Sequence, residues 1–163
     1  MPFALDQVLP WGRSYDEYVA MFSLRRTDLR KRIAGCGDVP VSFNAEMHRR
    51  GLDAVSIDPV YQFDADAIRL RIDLAFDIAL CSHLLFLYSR QLGLEFHLSS
   101  ILEMRRIAAE VRIFPLVDLA VPVSRHRDDV VRELTARGLD TTIDEVEYEF
   151  RRGGTTILRV LAA

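Results

Sequence analysis

The stretch Gly35-Cys36-Gly37-Asp38 most constrains what this chain can fold into. Lys31-Arg32-Ile33-Ala34 runs into it as a short strand, and Ser42 to Arg50 leaves it as a helix. Glycines let a backbone turn with positive φ and approach a ligand closely. The helix start beyond them offers unpaired N–H groups and the positive end of a dipole. Strand, glycine turn and helix in that order make a seat for a dinucleotide or nucleoside cofactor. Ala54-Val55-Ser56-Ile57-Asp58 strengthens the reading. It is an apolar run ending in a carboxylate about 20 residues further on, the separation at which such folds hold a ribose diol.

The elements around this seat follow from capping and periodicity. Pro10-Trp11-Gly12-Arg13 reads as a turn, and Ser14-Tyr15-Asp16-Glu17 as a capping box opening a helix with Tyr15, Tyr18, Val19 and Phe22 on one side. Thr27-Asp28 is expected to cap a further helical turn. Phe43 and Met47 face inward from the helix after the glycines, and Gly51 stops it just past His48, Arg49 and Arg50. Ala54 to Ile57 is a second strand ended by Pro59, and Phe76 to Cys81 a third. Leu94, Leu98, Ile101, Leu102 and Ala108 make one helix face, and Val111 to Leu116 a fourth strand. Val130, Val131 and Leu134 mark a helix from near Ser124 to Gly138.

The last part of the chain breaks this alternation. Thr141 to Phe150 and Thr155 to Leu161 are both β-like, and the link Arg151-Arg152-Gly153-Gly154 makes them an antiparallel hairpin. The earlier alternation predicts a parallel sheet with helices on both faces. The expected fold is therefore α/β: a Rossmann-like three-layer αβα sandwich, mostly parallel, with an antiparallel C-terminal hairpin. One domain is expected over 1–163, with 1–30 as a helical cap and 31–163 as the core.

Composition narrows the partners. Half the residues are hydrophobic and the formal net charge is −3, which does not favour a general binder of nucleic acid or anionic membrane. Cys36 and Cys81 show neither metal spacing nor a disulfide framework, so reduced thiols in a cytoplasmic protein are expected. Met1 to Asp6 lacks a basic region followed by an apolar core, so no signal peptide is expected. The most apolar stretch, Leu74 to Tyr88, is interrupted by Asp77 and His83 and is too short to span a bilayer.

The chain resembles class I S-adenosylmethionine-dependent methyltransferases, and most of all a bacterial group of uncharacterised methyltransferase-like proteins. The shared stretches are Pro10 to Ser14, Gly35 to Asp38 with Ser42 to Glu46, Ser56 to Pro59, Phe76 to Ser89, and Tyr148 to Gly154. The antiparallel terminal hairpin also separates that class from dehydrogenase domains. Three departures stand out. Ile33 occupies a position usually acidic, Val39-Pro40 replaces the third small residue of the loop, and little chain separates Asp58 from Phe76. Either the middle of the sheet is trimmed, or this sequence lacks residues that the natural chain has.

The resemblance implies S-adenosyl-L-methionine as cofactor, held by Gly35, Cys36, Gly37, Asp38, Asp58, Pro59, Arg13, Cys81 and Ser82. Gly35 and Gly37 would pass the methionine part, Asp58 would accept from the ribose hydroxyls, and Arg13 would pair with the cofactor carboxylate. Each has a structural alternative: a tight turn, a solvated strand-end acid, a surface arginine. Asp38 is equally a helix cap. His83 is the candidate catalytic base, its alternative being a histidine bonded beneath a loop. Ser82 with His83 is not read as a hydrolase pair, because adjacent residues rarely align that way and there is no nucleophile elbow. Tyr88 and Phe86 are read as core, with a substrate wall as the alternative, and the scattered His48, His97 and His126 do not suggest a metal.

The leading expectation is methyl transfer to a small-molecule acceptor, with no nucleic acid and no membrane partner, by a monomer or homodimer. A non-catalytic module that binds S-adenosylmethionine or S-adenosylhomocysteine is the first alternative, and an NAD-dependent oxidoreductase the second. Against the latter, Pro40 fills the last glycine position of the GxGxxG pattern.

Overall fold

The computed structural model describes residues 13–37, 42–57, 75–120 and 123–163. Six strands form one mixed sheet: β1 (Ile33–Cys36), β2 (Ala54–Ile57), β3 (Phe76–Ser82), β4 (Ala108–Phe114), β5 (Leu139–Glu145) and β6 (Thr156–Ala162). Their order across the sheet is β2-β1-β3-β4-β6-β5. The first four run parallel, and β6 lies between β4 and β5, antiparallel to both. Helices α1 (Tyr15–Met21), α2 (Ser42–Arg49), α3 (Leu94–Ile107) and α4 (Arg127–Ala136), with 3-10 turns at Asp28–Arg30 and Phe86–Tyr88, complete the described elements. A mostly parallel sheet with one reversed strand near its end, flanked by helices, is a Rossmann-like αβα fold.

Alternation along β3 shows both faces covered. Ile78 and Leu80 pack with Phe22, Phe43 and Met47 from the α1 and α2 side. Ala79 and Cys81 pack with Leu98, Ile101 and Leu134 from α3 and α4. Period-two side chains buried on both faces are what a parallel sheet between two helical layers requires. The Ser14 capping box forms as expected, with Glu17 N–H donating to Ser14 Oγ at 3.2 Å and Ser14 N–H to Glu17 Oε2 at 2.8 Å.

Several boundaries differ from the sequence reading. β1 runs two residues further, so Gly35 and Cys36 are strand residues. Thr27 makes no side-chain cap; the Asp28 carboxylate accepts from Arg25 N–H instead, at 3.1 Å. β4 follows α3 without a loop, because Ala108 already pairs with Phe76, and it stops before Pro115, which has no N–H to offer. Leu102, expected inward, is exposed, and Met104 takes the buried face. β5 ends at Glu145, so the link to β6 is longer than a four-residue turn. Val146 N–H still donates to Thr155 O at 2.8 Å, but Tyr148 and Phe150 leave the ladder to pack against the α1-side core.

On that same face, β4 and β6 carry charge where apolar side chains line the rest. Arg112, 4 % exposed, donates to Glu110 at 2.7 Å, to Asp28 at 3.1 Å and to Phe22 O at 2.9 Å. Arg159, its register partner on β6, also donates to Glu110, at 2.9 Å. Burial pushes the Asp28 carboxyl up, but Lys31, the Arg25 N–H and Arg112 together hold it below its ordinary value of 3.8. Burial likewise pushes Glu110 up, and Arg112 and Arg159 hold it below 4.5.

A depressed carboxyl contributes stability that is present above its unfolded value and lost as pH falls through the folded one. This cluster should therefore weaken the fold only below about pH 4. Arg112→Ala leaves Asp28 and Glu110 buried without their shared partner. It should cost about 3 kcal/mol, lowering the midpoint of thermal unfolding by roughly 6–12 °C in circular dichroism.

Candidate functional site

Parallel pairing brings the ends of β2, β1 and β3 to one edge of the sheet, where open α/β folds bind ligands. Gly35 lies inside the ladder, in register with Ser56 and Leu80. The turn belongs to Gly37 alone, at φ +67°. Its N–H donates to Ile57 O at 3.1 Å, tying the exit of β1 to the end of β2. A Cβ on Gly37 would meet Leu84 Cδ2 at 2.5 Å, a contact the leucine tip can relieve by moving, so it is the left-handed conformation that calls for glycine.

Beside this turn is a cleft of about 230 Å³ that brings together Cys36, Gly37 and Cys81 with Ile57, Leu84 and Met104. Its wall is apolar, and pockets enclosing a whole drug-sized ligand start near about 300 Å³. It therefore encloses only part of a ligand of that size. Asp38, Asp58 and Pro59, expected to hold the amine and the ribose, lie outside the described residues.

Arg13, Ser82 and His83 form a second group on the opposite, α1-side face. Ser82 Oγ lies 2.6 Å from His83 Nδ1 and 3.6 Å from Met21 Sδ. Adjacent residues thus do bond here, because His83 takes a left-handed φ of +55° that swings its ring back over Ser82. With the Ser82 hydroxyl donating to Met21, His83 donates from Nδ1 and keeps its lone pair on Nε2. His83 Nε2 is buried and has no hydrogen-bond partner among the described residues. The Phe150 ring sits 4.5 Å away edge-on, with Phe114 at 5.6 Å.

Arg13 closes this corner. It donates to Tyr148 Oη at 3.1 Å, lies 3.7 Å from Glu17 and stacks over Phe150 at 5.5 Å. Tyr148 in turn donates to Glu17 at 3.3 Å. Burial lowers the His83 imidazole to about 4, Arg13 adding to the shift and Glu17 opposing it.

Sequence reasoning did not single out Leu84, which covers Gly37, or the ring wall of Phe114, Tyr148 and Phe150. Tyr148 and Phe150 alternate as strand residues do, so no local signal marks them as site-facing. Tyr88, read as core, is exposed, whereas Phe86 is fully buried. His97 and His126 come within 5.1 Å, ring centre to ring centre. No group of three or more potential metal ligands occurs among the described residues. None of the described helices is long and apolar enough to cross a membrane.

No protein-family model matches the chain. An uncharacterized protein from the archaeon Methanocaldococcus jannaschii is 25% identical over 210 residues, covering 90% of this chain and 93% of that protein. The aligned span exceeds the 163 residues here, so that relative carries chain this one lacks between matched segments. Among solved structures, a putative RNA methyltransferase from Pyrococcus horikoshii superposes with a TM-score of 0.49 at 15% identity, over 90% of this chain and 81% of that one. The expectation of no nucleic-acid partner is withdrawn, a putative RNA methyltransferase standing among the similar structures. Net charge was a poor ground for it, being a whole-chain average blind to local basic surface.

Gly37→Ala should cost about 1–2 kcal/mol in urea unfolding, the price of a left-handed alanine. His83 is held neutral by folding, so the unfolded chain takes up its proton first. Stability should fall as pH drops from about 6.5 to about 4, on the order of 2 kcal/mol after allowing for partial exposure, and His83→Gln should flatten that slope.

Proposed function

We propose that the chain is an S-adenosylmethionine-dependent methyltransferase whose cofactor enters over the Gly37 turn. The observation that carries the reading is the strand order, with antiparallel β6 between β4 and β5 and the glycine turn at the end of central β1. The same reversed strand disfavours the nicotinamide reading. Bound, the cofactor supplies an electrophilic methyl on a neutral leaving group, so the protein's task is alignment in a dry pocket.

In this reading Gly37 admits the amino-acid end, Cys36 and Cys81 line the floor, and Asp58 takes the ribose hydroxyls. Asp38 and Pro59, outside the described residues, are assigned to the same cofactor. Arg13 is placed for a carboxylate once it leaves Tyr148. Ser82 orients the His83 ring, and Nε2 receives the proton an oxygen or nitrogen acceptor gives up on methylation. Neutral His83 has the lone pair this needs at neutral pH. The Phe150 ring must swing aside first. That seal favours the second reading, a non-catalytic module that binds the cofactor.

Titration calorimetry with S-adenosylhomocysteine should show binding, and absence of binding with either adenosyl ligand overturns both readings. Labelled methyl transfer, offered small-molecule extracts and RNA in separate arms, then identifies the acceptor class. His83→Gln should lower turnover about 100-fold or more with unchanged affinity for S-adenosylhomocysteine. Binding without transfer in any arm selects the non-catalytic module.

A further inference from the structure

We propose that Cys36 and Cys81 form a two-thiol modification site on the cleft floor, converted to an internal disulfide by a peroxide-class oxidant. The two residues are register partners on the adjacent parallel strands β1 and β3. Parallel register sends both side chains to one face of the sheet, and both line the same cleft. Neighbouring strands lie about 4.7–4.9 Å apart, inside the roughly 4.4–6.8 Å between Cα atoms that disulfides span. Both cysteines are reduced. Each stands at or near a strand end, Cys36 just before the Gly37 turn and Cys81 two residues before the left-handed His83, so small backbone shifts there leave the ladder intact.

Their unequal burial assigns the order of reaction. Cys36 is partly exposed to the cleft, whereas Cys81 is 2 % exposed. The Cys36 thiolate attacks one peroxide oxygen, the O–O bond breaks, and a sulfenic acid and one water form. The Cys81 sulfur then attacks the Cys36 sulfur. The hydroxyl leaves with the Cys81 proton as a second water, and the S–S bond is made. Two electrons pass from the two thiols to one peroxide. The thiolate is the reacting form, so the reaction quickens as pH rises. The site does not depend on the methyltransferase reading, because its readout is covalent.

The full chain is treated with excess hydrogen peroxide at mildly alkaline pH, alkylated with iodoacetamide under denaturing conditions, and weighed intact. The expected product is a monomer lighter by two hydrogen atoms, carrying no alkyl group and restored by dithiothreitol. In Cys81→Ser the reaction stops at a Cys36 sulfenic acid that dimedone captures. Two alkylated thiols after prolonged exposure, oxygen adducts on both sulfurs, or a covalent dimer overturns the proposal. So does a wild-type peptide map in which the two cysteines are not joined.

Discussion

The structure depends on β1 being hydrogen-bonded along both edges. With β2 on one side and β3 on the other, all parallel, no residue from Ile33 to Cys36 has latitude to turn. The chain bends only at Gly37, where the ladder stops and the N–H reaches Ile57 O. The ends of β1, β2 and β3 therefore converge on one edge, and the cleft forms there because three strands terminate together. The same pairing sets residues distant in sequence side by side, Cys36 with Cys81 above all.

Beyond β4 the sheet solves a different problem. β6 must enter between β4 and β5 in one register. Arg112 and Arg159 meet across β4 and β6, a like-charge pairing tolerable only because Glu110 accepts from both. A one-residue slip of β6 would carry Arg159 to the apolar face under α3 and α4. A buried ion cluster of this kind adds less stability than hydrophobic packing of equal volume, but it penalises wrong registers heavily. Asp28 extends it to the segment after α1, which anchors the N-terminal helix to the second half of the sheet.

The two groups of candidate residues divide according to the pleat. Cys36 and Cys81 point to the α3 side and Ser82 to the α1 side, since adjacent strand residues face opposite ways. The run Cys81-Ser82-His83 therefore serves two environments: an apolar cleft floor, and a ring-walled corner beneath Phe150. The β5–β6 link builds that corner by turning Tyr148 and Phe150 inward, where Arg13 and Glu17 from the start of α1 hold it.

The layered fold was legible in the residues because its signals are local. The capping box at Ser14, the strand–glycine–helix order at Gly37 and the reversed pair at the end each follow from propensities within a few positions. Strand limits were less legible, since Gly35 and Cys36 become β only by pairing with two neighbours that the chain supplies later. Residues alone also determined which groups are available for chemistry: two thiols, a serine–histidine pair, a glycine turn. Only the tertiary structure decided which of them meet. Register across β1 and β3, the left-handed turn at His83 and the infolding of Phe150 are long-range events, and no short window of sequence carries the free energy that selects them.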